Sequence, residues 1–195
     1  MLGNNNSTKR IFAGLSNGKV TVRPGKDQEP ILYDFIEGRI TEIKKSDRSV
    51  KDKDTKFIDL TIVDGEDTVI LSLYEDSTST RSLLLALASV KDFSQKIRIS
   101  AYPRSGANGV VFTNVALYSG GQKLPWAYEN SQIPKVTTEI YKGQEIKDAS
   151  ERNAFFEKLY NSIANAINAA AAGDRPAVDY DEYDHNEPDE DMPIA

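Results

Sequence analysis

Apolar and polar residues alternate in five short runs along the middle of the chain: 34–43, 57–63, 69–74, 96–102 and 110–118. A period of two marks strands with one buried face. Ile36, Ile40, Ile43, Ile58, Leu60, Ile62, Val69, Leu71, Leu73, Ile97, Ile99, Val111, Val115 and Leu117 fall on the inward parity. Arg39, Phe57, Asp59, Tyr74, Arg98, Tyr102 and Phe112 fall on the other. Between the third and fourth runs, Leu83, Leu84, Leu87 and Val90 repeat at helical spacing, which predicts a short helix over 80–90. Gly38 predicts a bulge or tight bend within the first run.

Strand, strand, strand, helix, strand, strand is the order of the OB-fold. That fold is a five-stranded Greek-key barrel whose second and third strands and flanking loops hold oligonucleotides or oligosaccharides. The fold class expected is therefore mainly β: an OB-fold barrel with additions at both ends. Ahead of it, 9–13 and 19–23 read as a hairpin around the turn Ser16-Asn17-Gly18, laid on the barrel. The segment 44–56 is rich in Lys and poor in apolar residues, and is expected to be a mobile loop between the first two barrel strands. After the barrel, Gly120-Gly121 ends the fifth strand, and the stretch around Trp126 reads as an extended arm.

A helix is expected over 148–173, with Asp148 and Glu151 in a capping-box spacing. Its apolar face is Phe155, Phe156, Leu159, Ile163, Ala166, Ile167 and Ala170, and Gly173 stops it. That face packs on its own barrel or arm, with self-association as the alternative. The organisation expected is a disordered start (1–8), the barrel with its hairpin and arm (9–147), the helix (148–173) and a disordered acidic tail (174–195).

Charge changes this picture because it is uneven. The net charge is −6, yet residues 176–195 carry eight acids and no Lys or Arg, which leaves the rest at +2. A slightly basic body with an acidic tail suggests nucleic-acid contact by the body and a separate task for the tail. There is no cysteine, so disulfides, thiol catalysis and zinc knuckles are excluded. The single His, His185, lies in the tail, where nothing orients it for nucleophilic or metal chemistry. No metal or other cofactor is expected, and nothing recommends an enzyme. No apolar run is long enough to cross a membrane, and the start lacks the features of a secretory signal, so the cytoplasm is the expected compartment.

A binder of single strands needs cations that track the backbone and flat rings that receive bases. Arg39, Lys44, Lys45, Arg48, Lys56, Arg98 and Arg104 are the candidate phosphate contacts. Phe57, Tyr74 and Tyr102 are the candidate stacking platforms, with Phe112 and Trp126 beside them. Each ring has an alternative reading as part of a small second core beneath the arm or helix. Asp59 is an isolated outward carboxylate, expected to pair on the surface with a neighbouring Lys or Arg.

The chain ends Asp189-Glu190-Asp191-Met192-Pro193-Ile194-Ala195. This resembles the C-terminal tip of bacterial single-stranded-DNA-binding proteins, where acids precede an Ile-Pro-Phe ending; here Ile194 stands in place of the aromatic. The layout of one OB-fold, elaborations and an acidic tail is similar to that of phage-encoded members. The resemblance implies sequence-nonspecific binding of single-stranded DNA during replication, recombination or repair in a host cytoplasm. It implies that Asp189, Glu190, Asp191, Met192, Pro193 and Ile194 dock on partner enzymes. The tail also has a role open to it within the chain, competing with DNA for the cationic groove. The alternatives are an OB-fold module that binds only protein and an RNA-binding protein; homo-oligomers stay open.

Overall fold

The computed structural model describes residues 10–25, 28–106, 109–142 and 144–173. The start and the acidic tail with its tip, Asp189 to Ile194, for which disorder was expected, lie outside the described residues.

The fold is mainly β with a long C-terminal helix. The strands in chain order are β1 (Arg10–Ser16), β2 (Lys19–Val22), β3 (Ile31–Tyr33), β4 (Phe35–Val50), β5 (Lys53–Asp64), β6 (Asp67–Tyr74), β7 (Lys96–Ser105), β8 (Val111–Ser119), β9 (Gln122–Lys123), β10 (Thr137–Tyr141) and β11 (Gln144–Asp148). The helices are α1 (Thr78–Leu87), between β6 and β7, and α2 (Ser150–Gly173). Nine strands form one sheet in the order β3-β2-β1-β6-β5-β4-β7-β8-β9, and β10–β11 stand apart as a ribbon.

The alternation read from the sequence sets the inner face. Ile40, Ile58, Leu60, Ile62, Leu71, Ile97, Ile99, Val115 and Leu117 are almost fully buried in one cluster. Helix α1 adds Leu83, Leu84 and Leu87, and α2 adds Leu159, Ile163 and Ile167. The long helix therefore packs on its own chain. Each of these side chains contributes about 1.5–3 kcal/mol by leaving water.

A closed five-stranded barrel does not form. Closure requires the third barrel strand, β6, to pair with the fifth, β8, but β6 spends that edge on β1. The two run parallel, with Arg10 opposite Thr68 and Ala13 opposite Leu71. The hairpin expected on the outside of the barrel is thus built into the sheet. Its turn spans the remaining gap: the Gly18 N–H donates to Thr113 Oγ1 at 3.0 Å. A Cβ on Gly18 would sit 2.3 Å from Pro103 Cδ, and φ is +73° there, so both space and backbone demand glycine. Helix α1 satisfies the edge of β8 instead of a strand. Ser79 Oγ donates to the Thr113 carbonyl at 2.7 Å, and Ser82 Oγ accepts the Val115 N–H at 3.0 Å.

Three local expectations need correcting. The segment 44–56 is not a loop; β4 and β5 continue as a paired ribbon out to Val50 opposite Lys53. Backbone ladder bonds need no apolar side chains, and Lys51 and Asp52 both take positive φ, as a two-residue hairpin turn requires. The bulge in β4 lies between Ile40 and Glu42 rather than at Gly38. Gly38 instead allows close approach, since a Cβ there would be 2.8 Å from the Val63 carbonyl oxygen. At α2 the first helical bond runs from the Asn153 N–H to the Ala149 carbonyl, so Asp148 precedes the cap. Its carboxylate holds the Ser150 N–H at 2.8 Å and the Ser150 hydroxyl at 2.5 Å, which keeps it below the usual carboxylate range.

Candidate nucleic-acid interface

The outer face of β4, β5 and β6 carries two adjacent rows set by register. Ser46, Phe57 and Tyr74 are cross-strand neighbours, as are Lys44, Asp59 and Ser72. Arg48 lies two residues beyond Ser46 on the same parity and reaches back over them. Its Nη2 pairs with Asp59 Oδ2, and its Nη1 is 3.3 Å from Ser72 Oγ. The guanidinium carbon lies 4.9 Å from the centre of the Phe57 ring. Phe57 and Tyr74 meet with ring centres 4.7 Å apart, tilted by 33°.

Asp59 organises this stack. It is only 3% exposed, so it is not the surface carboxylate expected, although its partner is an Arg as expected. It accepts from Ser72 Oγ at 2.6 Å, from Ser46 Oγ at 2.8 Å and from Arg48. A buried carboxylate needs such partners to offset its lost hydration. In return it holds Arg48 over the Phe57 ring. The result is a layered arrangement of guanidinium, buried ring and outer ring, with Tyr74 52% exposed.

Strands β1 and β2 form the other wall of a groove of about 440 Å³. Phe12, Ser16, Thr21, Arg23, Arg48, Phe57, Ser72, Tyr74, Ser77 and Ser79 line it. Phe12 is 59% exposed. Thr21 Oγ1 is buried with no hydrogen-bond partner among the described residues. Two cations, two exposed rings and several hydroxyls thus border one cleft. It can take flat, partly polar groups carrying negative charge.

A second patch adjoins it on β7 and β8. Arg104 lies opposite Phe112 and Tyr102 opposite Asn114. Phe112 is partly exposed, and its ring lies where a Gly106 side chain would be, 2.4 Å from a Cβ placed there. Tyr102 is half-buried, with Lys123 Nζ 5.9 Å from its ring centre. The two patches meet at the β1–β2 turn, because Gly18 packs on Tyr102 and Pro103 while Ser16 lines the groove.

The remaining candidates lie elsewhere. Lys45 points to the opposite side of β4, where Glu75 at 2.7 Å and Glu157 at 2.5 Å hold it and the Tyr160 ring lies beneath it at 4.9 Å. Burial works against its charge, but the hydrogen bonds it donates to Glu157 and Glu75, with their negative charge, outweigh this and raise its pKa above the ordinary 10.5. Lys56 lines the same cavity, about 370 Å³ between the sheet and the helices. Arg98 pairs with Glu37 at 2.6 Å and lies over Phe35 at 4.3 Å, across the sheet from the groove. Arg39 borders a depression with Phe93 and Ala170, near the end of α2. Trp126 is half-buried against the main core cluster rather than in a second one. Lys44 is exposed, with Nζ 3.7 Å from Glu42.

Of the residues singled out in the sequence, Arg48, Phe57 and Tyr74 come together in the groove, and Tyr102, Arg104 and Phe112 in the neighbouring patch. Sequence reasoning missed Phe12, Arg23 and the anchoring role of Asp59. Phe12 lies in the apolar run Ile11-Phe12-Ala13, where no alternation tells which side chain faces out. Only the pairing of β1 with β6 says which surface it joins. Comparison of the chain with protein-family models, characterised proteins and solved structures finds no match.

Proposed function

We propose that this chain binds single-stranded DNA with little sequence preference, through the groove between β1–β2 and β5–β6. The unit β4-β5-β6-α1-β7-β8 is then an OB-fold opened at its closing edge by the N-terminal hairpin. The binding surface is the outer face of its second and third strands. The observation that carries this reading is the Arg48–Phe57–Tyr74 stack held by Asp59. Such a stack offers a base an exposed ring face, with a fixed cation close by for phosphate. A duplex keeps its base faces stacked inside, so the same rings gain nothing from it.

Arg23, Arg48 and Arg104 follow a backbone from the groove to the second patch. If about three phosphates are neutralised, log affinity falls with log salt at a slope near −2. Binding of this kind serves strands exposed during replication, recombination or repair. The acidic tail then either recruits other proteins or competes for the groove.

The test is a titration of labelled poly-dT and of a matching duplex at two salt concentrations. Strong preference for the single strand, weakening with salt, supports the reading. Absence of binding at low salt overturns it and favours a surface for protein. A matched poly-U oligonucleotide bound more tightly than poly-dT would move the reading to RNA.

A further inference from the structure

The cavity between the sheet and the helices holds more positive charge than its acids cover. Lys45, Lys56 and Arg81 line it, with Glu75, Asp76 and Glu157. Glu75 and Glu157 are both taken by Lys45, at 2.7 and 2.5 Å. That leaves Asp76 as the acid for Arg81, at 3.6 Å, and its side chain is 87% exposed. A pair so open to water contributes little. Lys56 makes no ion pair among the described residues.

A further cation stands near Arg81. Arg152 is the third residue of α2, one before Asn153 and one turn before Phe156, both of which line the cavity. Arg81 lies over the Phe156 ring at 5.7 Å. Burial first, and then the Arg152 charge, work against the Arg81 charge and hold its pKa below the ordinary value. Arg152 Nε is itself buried, with no hydrogen-bond partner among the described residues. Folding energetics do not account for Arg152. A cation on the first turn opposes the helix dipole, a nearby guanidinium repels it, and a buried unpaired N–H costs free energy. An anion held between the two arginines would reverse all three.

Two guanidinium groups from different helices need acceptor oxygens on more than one side. A carboxylate carries a single charge and two oxygens, whereas a phosphate group carries nearly two charges and at least three acceptor oxygens. We infer that a phosphate group binds between Arg81 and Arg152, with Lys56 on the cavity wall beside it. The group can belong to a small phosphorylated molecule or to a strand arriving from the groove. Tyr74 and Ser77 line the groove while Glu75 and Asp76 line the cavity, so the two adjoin at that turn. The site does not rest on the groove reading.

Inorganic phosphate is the probe, added to the full chain in place of chloride at constant ionic strength and pH. The thermal midpoint of wild type should rise with phosphate and level off. Arg152→Met keeps the apolar stem and removes the charge. It should need about tenfold more phosphate for the same rise, and so should Arg81→Met. In chloride alone the Arg152→Met midpoint should equal or exceed that of wild type, because the repulsion and the unpaired N–H are gone. Lys91→Met, which removes an exposed cation beyond the other end of α1, should keep the wild-type rise. An equal rise in wild type and Arg152→Met overturns the inference, since phosphate would then act only as a stabilising salt. An Arg152→Met midpoint several degrees below wild type in chloride also overturns it, because Arg152 would then be a structural residue. Oligo-dT affinity of the same variants in chloride separates the sources. A fall of about tenfold alongside the lost phosphate response assigns the group to a strand, and unchanged affinity assigns it to a small molecule. If the chain binds no DNA at all, the phosphate response still stands, so this inference and the groove reading fail separately.

Discussion

Tyr74 is the residue on which the groove's chemistry can be isolated. More than half of it is exposed, so its removal leaves the core intact, whereas Phe57 beneath it is buried. Tyr74→Ala should weaken oligonucleotide binding by about 1–3 kcal/mol, the value of one stacked base, and lower stability in urea by only about 0.5–1.5 kcal/mol, the value of its ring contact with Phe57. Fluorescence anisotropy and urea unfolding measure the two sides. Asp59→Asn should do the reverse in emphasis. It removes the charge from the group that anchors Arg48, Ser46 and Ser72, and should lower stability by about 1.5–3 kcal/mol in urea unfolding. It should also weaken DNA binding, because Arg48 loses the charged partner that holds it over Phe57. The outward parity of Tyr74 was legible in the sequence; the burial of Phe57 was not legible, since residues 57–60 of β5 are buried without alternation. Nor was the burial of Asp59. It depends on Ser46, Ser72 and Arg48 converging from other strand positions, which no local pattern encodes.

Among the elements, α2 is tied to β4 through Lys45. Lys45→Met should lower the thermal midpoint and leave oligonucleotide affinity unchanged, because Glu75 and Glu157 already occupy the ammonium group. Its raised pKa fixes the sign of a pH effect. The folded chain holds this proton more tightly than the unfolded one, so the stabilisation is complete below the ordinary 10.5 and is lost as pH climbs through the higher folded value. Thermal unfolding of wild type and Lys45→Met should therefore differ fully below pH 10.5 and converge only as pH rises beyond it. The helices and five central strands were legible because their apolar periods are strong. The 44–56 ribbon was not, because backbone pairing holds it and its turn, Lys51-Asp52, lacks the glycine that usually marks one. The β10–β11 ribbon escaped notice for a related reason: every residue on it is exposed, so burial imposes no alternation.

At the scale of the molecule, one long-range pairing decides the architecture. β1 joins β6 across more than fifty residues of chain, a contact that no local signal announces, and it converts an expected barrel into an open sheet with a groove at the junction. The groove exists because the barrel is not closed. The uneven charge of the sequence works at this scale too. Deleting residues 176–195 should tighten oligonucleotide binding, most at low salt, if the tail competes for the groove; equal affinity at all salt concentrations would leave the tail only its recruiting role.

The account rests on bases lying against Tyr74 and Phe12 in that groove, and photo-cross-linking reads this directly. A poly-dT oligonucleotide carrying 5-iodouracil, irradiated with the protein and mapped by mass spectrometry, should form adducts at Tyr74 and Phe12. Adducts confined to Trp126, to the β10–β11 ribbon or to the cavity around Lys45 and Lys56 would contradict it.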